Sequence, residues 1–298
     1  MKSIQTILLA TDFSIPAKRA EERAALLAAE HEARLILLHC LPGRALQRLR
    51  EHLMPGHAGA EAHLLEHYRA ALQRLAEDLA GRWRIEVTPR LVAGQAHREI
   101  SDAASESGAD LVVLGARGEH PAMAFFLGST AERVVRESPV PVLVVRNEAR
   151  EPYARVLAAL DLSRHAEAVV EIARLAAPTA ALTLGHAFEV PFEGKLQFAG
   201  ASAEEIGRYR QEEREQSLVT LRALADSRAP GADIRVEHGL ADAVLMRLLE
   251  ETSADLVVAG KHGSSEFIDL LLGSMTKHLL REAACDALVV PPAPEGAA

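Results

Sequence analysis

LGARGEHPAMAFFLGST, residues 114 to 130, has glycine at positions 115, 118 and 128 and follows the last of them with Ser129 and Thr130. The preceding run ADLVVLG is short and apolar, which is typical of a buried strand. Glycine is needed where the backbone takes a positive φ or where another group approaches too closely for a Cβ atom. A strand that leads through such glycines into a helix predicts a loop that receives an anionic ligand.

The same stretch occurs a second time in the chain. ADLVVAGKHG (254–263) repeats ADLVVLGARG (109–118), and VLAALDLS (156–163) repeats ILLATDFS (7–14). The copies lie roughly 145 residues apart, which is far too long for a solenoid repeat and indicates two domains of one fold. We predict domains at residues 1–147 and 154–298, joined by a linker at 148–153 that overlaps the polar stretch NEAREP (147–152).

Each copy alternates short apolar runs with longer helical segments. In the first copy the predicted strands are residues 4–10, 35–40, 85–92, 110–115 and 142–145, and the predicted helices are 16–32, 64–80, 97–107 and 129–137. Most of these strands are continuously apolar, as parallel strands covered on both faces are. The sequence therefore predicts an α/β protein with two tandem, doubly wound, five-stranded parallel-sheet domains of Rossmann-like type, whose ligands bind at the carboxyl ends of the strands.

Composition and charge exclude several classes of protein. The formal net charge is −9 and neither half is basic, so a nucleic-acid partner is not expected. The two cysteines, Cys40 and Cys285, have no metal or redox spacing, which fits a reducing compartment. No signal peptide and no apolar stretch of about 18 residues is present, so we expect a cytoplasmic protein that is not embedded in a membrane.

Several of these polar residues also have a purely structural interpretation. Ser129 and Glu132 fit a capping box, and Asp12 or Ser14 could cap the first helix. Arg117 could reach a phosphate or point into solvent. Four histidines at positions 52, 57, 63 and 67 could include a metal-binding pair at helical spacing, but a solvated helix face is the simpler interpretation.

The combination of Gly-x2-Gly-x9-Gly-Ser after the fourth strand, TDFS after the first and HC after the second resembles the nucleotide-binding branch of the universal stress protein family. The resemblance covers nearly the whole chain as a tandem pair. It implies an adenine nucleotide alpha hydrolase-like fold that binds ATP or another adenine nucleotide, with Mg²⁺ as the counter-ion of the phosphates.

The resemblance also implies a role for particular residues. Asp12 would contact the ribose or base beside Ala10 and Thr11, and the backbone of Cys40 would contact adenine. The remaining first-copy residues, which would hold ribose and phosphates, are Gly115, Gly118, Gly128, Ser129 and Thr130. The matching second-copy residues are Asp161, Ala187, Gly260, Gly263, Gly273, Ser274 and Met275.

The second copy departs from the pattern at two positions. Met275 replaces Thr130, although Thr276 follows it, and Asp269 adds a negative charge near the expected phosphates. These departures leave open whether both sites are occupied.

The expected function is that of an ATP-binding regulator or stress-response factor with an unidentified regulatory protein partner. No positioned general base is evident in the sequence, so any turnover should be slow. One alternative is a slow ATPase or nucleotidyl transferase on the same fold. Another is a nucleotide-free scaffold whose last strands, 142–145 and 288–290, pair edge to edge between domains or between the chains of a homodimer.

Overall fold

The computed structural model describes residues 3–53, 59–118, 127–261 and 272–292. The chain divides between Pro152 and Tyr153 into two compact units. In the described ranges, no helix combines the length and the apolar character needed to cross a membrane.

The first unit is a parallel sheet with the strand order β3-β2-β1-β4-β5. Its strands are β1 (Thr6–Ala10), β2 (Arg34–Pro42), β3 (Val87–Gly94), β4 (Leu111–Gly115) and β5 (Val142–Val145). Its helices are α1 (Ile15–His31), α2 (Gly43–Leu53), α3 (Ala60–Trp83), α4 (Ala96–Ser107) and α5 (Ser129–Glu137).

The second unit repeats this order as β8-β7-β6-β9-β10. Its strands are β6 (Arg155–Leu160), β7 (Ala181–Phe188), β8 (Asp233–His238), β9 (Leu256–Gly260) and β10 (Asp286–Val290). Its helices are α6 (Ala166–Ala176), α7 (Glu193–Phe198), α8 (Ala203–Arg228), α9 (Ala241–Thr252) and α10 (Ser274–Glu282). The predicted fold class is confirmed.

The central strands explain why the apolar runs are continuous. Ile7, Leu8 and Leu9 of β1 are completely buried because helices cover both faces of the sheet. In each unit the chain crosses from the third strand back over the first to reach the fourth, so the strand order reverses between β1 and β4 and between β6 and β9. This reversal opens a crevice at the carboxyl ends of those two strands, which is where such folds bind ligands.

The element bounds differ slightly from the predicted ones. Helix α5 and strand β5 have the predicted residues, whereas β1 begins at Thr6 and β2 continues to Pro42. Helix α2 follows β2 directly and was not among the predicted elements.

Candidate functional site

The turn after β1 is built by Asp12 and its neighbours. Oδ1 of Asp12 accepts a hydrogen bond from the backbone N–H of Ser14 at 3.0 Å, and the next residue along from Asp12, Phe13, has a φ of 62°. Ser14 is the N-cap of α1, since its hydroxyl accepts from the Ala17 N–H at 3.3 Å. Asp12 therefore shapes the turn and lies exposed at its surface, while the capping role belongs to Ser14.

Gly118 lies directly against the carboxylate of Asp12. A Cβ atom at position 118 would stand 2.7 Å from Oδ2 of Asp12, a separation that real Cβ atoms do not tolerate. Gly128 lies next to the end of β4, because its N–H donates a hydrogen bond to the carbonyl oxygen of Ala116 at 2.8 Å. The glycine segment thus brings the start of α5 and the end of β4 to the aspartate that follows β1.

Gly115 serves the packing of the fold. Its Cβ would meet the carbonyl oxygen of Pro16 at 2.9 Å, so glycine lets the first turn of α1 approach the end of β4. None of the three glycines at 115, 118 and 128 is among the described residues with positive φ. Of the two reasons expected for glycine here, close approach is the one that applies.

Helix α5 begins without a side-chain cap. Its N-cap residue is Gly128, and Ser129 and Thr130 are exposed residues of its first turn. The predicted capping box of Ser129 with Glu132 is therefore wrong, because Ser129 lies one residue inside the helix. No N-cap side chain accepts a hydrogen bond from the N–H groups of this first turn. The positive end of the helix dipole therefore lies at the crevice without a capping group.

A buried histidine joins the first two strands at the site. Nδ1 of His39 lies 2.8 Å from the backbone carbonyl oxygen of Thr11, and its ring contacts those of Phe13 and Tyr68 at centroid distances of 4.7 and 5.0 Å. The contact to Thr11 holds the residue just before Asp12 in place. The hydroxyl of Thr11 itself is used inside the unit, where it donates to Oε1 of Glu21 at 2.6 Å.

Ala10 and Cys40 lie at the strand ends that the prediction assigned to adenosine. Ala10 is the last residue of β1 and is half-buried, as is Cys40 on β2. Burial and the nearby Glu99 carboxylate raise the pKa of the Cys40 thiol to about 11. The thiol is therefore neutral at physiological pH and is not an activated nucleophile.

The second unit contains a cavity of about 270 Å³ at the corresponding place. Six of the predicted second-copy residues line it, namely Asp161, Ala187, Gly260, Gly273, Ser274 and Met275. The seventh, Gly263, lies outside the described residues, as do His262 and Asp269. Residues that are far apart in the sequence, and to which the family resemblance gives a role in nucleotide binding, thus surround one cavity.

The turn at Asp161 reproduces the turn at Asp12. Oδ1 of Asp161 accepts from the Ser163 N–H at 3.0 Å, and Leu162 has a φ of 58°. Nδ1 of His186 lies 2.8 Å from the carbonyl oxygen of Leu160, as His39 does from Thr11. Oδ2 of Asp161 is buried and has no hydrogen-bond partner within the described part of the chain.

Three helices direct their N-terminal ends at this cavity. Ala166 of α6, Ala241 of α9 and Ser274 of α10 all belong to first turns and all line it. None of the three helices has a side-chain cap hydrogen bond. The N–H of Ala166 already donates to the Ser163 carbonyl at 3.0 Å, and the N–H of Ala243 donates to Oδ1 of Asp242 at 2.8 Å. The positive dipole ends of the helices, together with the start of α10, still favour acceptor-rich or anionic ligands.

Thr276 does not replace the hydroxyl that the second copy lacks. It is buried, and its hydroxyl donates to the carbonyl oxygen of Gly260 at 2.7 Å. Met275, at the position of Thr130, lines the cavity with an apolar side chain.

The histidines of the first unit do not form a described metal site. His63 and His67 are exposed on α3, and His67 contacts the ring of Tyr68 at a centroid distance of 5.7 Å. His57 lies outside the described residues. Within the ranges that the structure covers, no group of three or more His, Cys, Asp or Glu side chains is placed to hold a metal ion.

His39 and His186 are the site residues that the sequence reasoning missed. Each of them lies within hydrogen-bonding distance of the backbone carbonyl of the residue before the site aspartate. Their recurrence one strand after the aspartate in both copies was the available signal.

Comparisons with known proteins agree with this architecture. The model of the universal stress protein family matches residues 3–146 and again 152–291. The universal stress protein encoded in the QAH/OAS sulfhydrylase 3' region of Thermus aquaticus is 36% identical over 146 residues, which are 48% of this chain and 98% of that protein. A universal stress protein of Mycolicibacterium smegmatis is 26% identical over 292 residues, covering 96% of this chain and 97% of the relative.

Solved structures share the tandem arrangement along the whole chain. The crystal structure of a universal stress protein from Archaeoglobus fulgidus superposes with a TM-score of 0.68 at 20% identity and covers 97% of each chain. A universal stress protein structure from Pseudomonas aeruginosa gives a TM-score of 0.66 at 21% identity, covering 97% of this chain and 94% of the other. At this level of identity the likeness concerns the fold.

Proposed function

Because the chain belongs to the universal stress protein family as a tandem member, we propose that it binds an adenine nucleotide, ATP in the first unit, and acts as a stress-response regulator. Mg²⁺ accompanies the bound phosphates as their counter-ion. Binding changes the population of one conformation and thereby the affinity for a regulatory protein partner. The protein works in the cytoplasm.

The observation that carries this proposal is the cavity at the carboxyl ends of β6 and β9. It is lined by six residues to which the family resemblance gives a role in nucleotide binding, and its described lining combines the Asp161 carboxylate with the first turns of three helices. A carboxylate accepts hydrogen bonds from ribose hydroxyls, and helix N-termini stabilise phosphate groups. The first unit supports the same chemistry through the approach of Gly118 to Asp12 and the uncapped start of α5.

The chemistry of the described residues favours binding over rapid turnover. The buried histidines nearest to the two aspartates, His39 and His186, each direct Nδ1 at a backbone carbonyl. Burial lowers the pKa of His186, and Cys40 is held neutral, so neither is suited to activate an attacking water. A slow ATPase remains the alternative, and it predicts phosphate release that disappears in Asp12→Asn.

Pairing through the last strands is a further part of the proposal. β5 and β10 are the last strands in the order of their own units, and both are apolar throughout their buried lengths except at Asp286. Apolar strands at a sheet edge need cover. Edge pairing between domains, or between the chains of a homodimer, would supply it.

The test compares wild type with two alanine variants in a thermal-shift titration with ATP and Mg²⁺. In Gly118→Ala the new Cβ must displace Oδ2 of Asp12, which is the end of a side chain, so the fold survives while binding is lost. In Gly81→Ala the new Cβ meets no atom within 4 Å and binding is retained. Wild type and Gly81→Ala should gain about 2.7 kcal/mol at 100 times Kd.

Mass spectrometry of ligand released from the denatured protein provides a second readout. Recovery of AMP, ADP or ATP from the wild-type protein supports the proposal. The absence of any released nucleotide together with no thermal shift at millimolar ATP would instead support the nucleotide-free scaffold.

A further inference from the structure

The two units differ at the positions that would distinguish a nucleoside from a triphosphate. We propose that the cavity of the second unit takes a nucleoside or a nucleoside monophosphate in preference to the triphosphate, so that one chain carries two sites for different ligands. This inference rests on the proposed adenine-nucleotide binding and specifies the ligand of its second site.

The size and lining of the cavity suit a small, weakly charged ligand. Its volume of about 270 Å³ lies just below the range of roughly 300–1,000 Å³ that is usual for ligand pockets. Its walls are apolar at Leu160, Val169, Leu245 and Met275. Asp161 is the one carboxylate among the described lining residues. A base and a sugar fill such a space, whereas a triphosphate chain would extend beyond it.

The carboxylate of Asp161 favours a ligand group that can donate a hydrogen bond, such as a hydroxyl. Its Oδ2 is buried without a hydrogen-bond partner in the described residues, which is costly until a donor arrives. An ionised carboxylate only accepts hydrogen bonds, and a phosphate oxygen offers it no proton and adds like charge. A ribose hydroxyl both donates and is neutral, so the sugar fits against Asp161.

Among the described residues, the start of α10 offers a phosphate fewer hydroxyl donors than the start of α5 does. In the first unit, Ser129 and Thr130 present two adjacent hydroxyls in the first turn of α5. In the second unit Met275 stands in place of Thr130, and the hydroxyl of Thr276 is bonded to the Gly260 carbonyl. Ser274 is therefore the hydroxyl that the described cavity lining still offers to a phosphate.

The start of α10 nevertheless accepts a single anionic group. It has no side-chain cap and no acidic residue in its first turn, whereas α5 carries Glu132 there. One phosphate can accept hydrogen bonds from the N–H groups of this turn and from the Ser274 hydroxyl. Beside Ser274 the described lining continues with the apolar side chain of Met275, which offers no hydrogen bond to a further phosphate.

The buried residues next to the two sites also differ in polarity. Thr11 and Glu21 form a buried hydrogen bond beneath the first site, while Leu160 and Val170 occupy the matched buried positions in the second unit. Leu160 also lines the cavity. At these two matched positions the second unit thus has apolar side chains in place of a polar pair, which suits the base and sugar of the ligand.

The experiment uses the full chain in isothermal titration with adenosine, AMP and ATP with Mg²⁺. Wild type should bind AMP or adenosine at a site that Asp161→Asn removes, and ATP at a site that Asp12→Asn removes. Met275→Thr should strengthen ATP binding at the second site about tenfold, the effect of roughly one hydrogen bond to a charged group. Met275→Leu, which keeps the volume without a hydroxyl, should retain the wild-type preference.

The outcomes distinguish the ligand selectivity of the second site from the proposed adenine-nucleotide binding. If Asp161→Asn removes one of two equally tight ATP sites, or if Met275→Thr leaves ATP affinity unchanged, the selectivity is overturned while nucleotide binding stands. If adenosine binds at the second site and ATP binds nowhere, ATP binding by the first unit fails while the selectivity stands. If Asp161→Asn shows no cooperative unfolding transition, the comparison of Met275→Thr with Met275→Leu still tests the selectivity.

Discussion

Replacing Thr11 with valine removes a buried hydroxyl that serves two partners. Its Oγ1 donates to Oε1 of Glu21 at 2.6 Å and accepts from the backbone N–H of Phe13 at 3.0 Å. Thr11 and Glu21 are each only 5% exposed, so water cannot readily replace the lost bonds. Valine has nearly the same shape, which makes the loss chiefly a loss of hydrogen bonding.

The expected destabilisation follows from the two bonds. A buried carboxylate that loses its donor costs about 1.5–3 kcal/mol, and the Phe13 N–H adds about 1 kcal/mol because it is only partly buried. We therefore expect Thr11→Val to lower the free energy of unfolding of the first unit by about 3 kcal/mol.

The second unit shows how the loss can be reversed. Leu160 and Val170, both buried, occupy the positions that match Thr11 and Glu21. Replacing both partners with apolar residues removes the unsatisfied carboxylate together with its donor, which is often neutral or stabilising. The double variant Thr11→Leu/Glu21→Val should therefore recover at least about half of the loss, or about 1.5 kcal/mol.

Urea unfolding monitored by tryptophan fluorescence measures this effect in the first unit alone. The chain has one tryptophan, Trp83 at the end of α3. With an m-value of about 2 kcal/mol/M, the midpoint of Thr11→Val should fall by roughly 1.5 M. Thr88→Val on the exposed side of β3 is the control and should stay within about 0.5 kcal/mol of wild type. A loss below about 0.5 kcal/mol in Thr11→Val, or no recovery in the double variant, would refute the reasoning.

Three further outcomes are expected. Burial raises the pKa of Glu21 above its ordinary value of 4.5. The neutral form therefore contributes stability below pH 4.5, and this contribution is lost as the pH rises through the higher pKa of the folded state. Glu21→Gln should flatten this part of the dependence of urea stability on pH. Tyr153→Phe should destabilise the second unit by about 2 kcal/mol in scanning calorimetry, because its hydroxyl donates to the buried carboxylate of Asp286 at 2.7 Å. Native Cys40, with a pKa of about 11, should be alkylated by iodoacetamide at pH 8 roughly a hundredfold more slowly than in the denatured chain, as measured by peptide mapping.

The fold was predictable because each local signal occurs twice. The continuous apolar run that became β4 recurs as β9, and the helix that follows the glycines begins at Ser129 and at Ser274 in the two copies. A parallel strand covered on both faces needs an unbroken apolar run, so its position is written into the sequence. The exact ends depend on hydrogen bonds to the neighbouring strand, which is why β2 continues two residues past its predicted end along β3.

Helix α2 was missed because the residues at its junction with β2 indicate a loop. Its sequence, GRALQRLREHL, has leucine at helical spacing, but the preceding strand runs into it through Pro42 and Gly43, which indicate a loop. Helix formation here depends on contact with β2, β3 and α3 and not on local signals alone.

The chemical details of the site depended on contacts that spacing cannot reveal. The sequence suggested a serine cap on α5, whereas Gly128 takes the cap position because its N–H is bonded to Ala116 at the end of β4. The role of Gly115 likewise comes from α1, which is distant from it in the sequence. Such contacts between elements are set by tertiary packing, and local propensity is too weak to oppose them.

The duplication separates architecture from ligand chemistry in this chain. Both units place a positive-φ residue after the aspartate, direct a histidine at the carbonyl before it, and return a glycine N–H to the loop after the fourth strand. Since these features are the same in both, differences in polarity at matched positions do not arise from a different backbone. The changes from Thr130 to Met275 and from Thr11 to Leu160 each remove a hydroxyl at or beneath the second site. If both sites bind adenine compounds as proposed, the unequal donors at these matched positions should let the two sites discriminate between ligands by phosphate number.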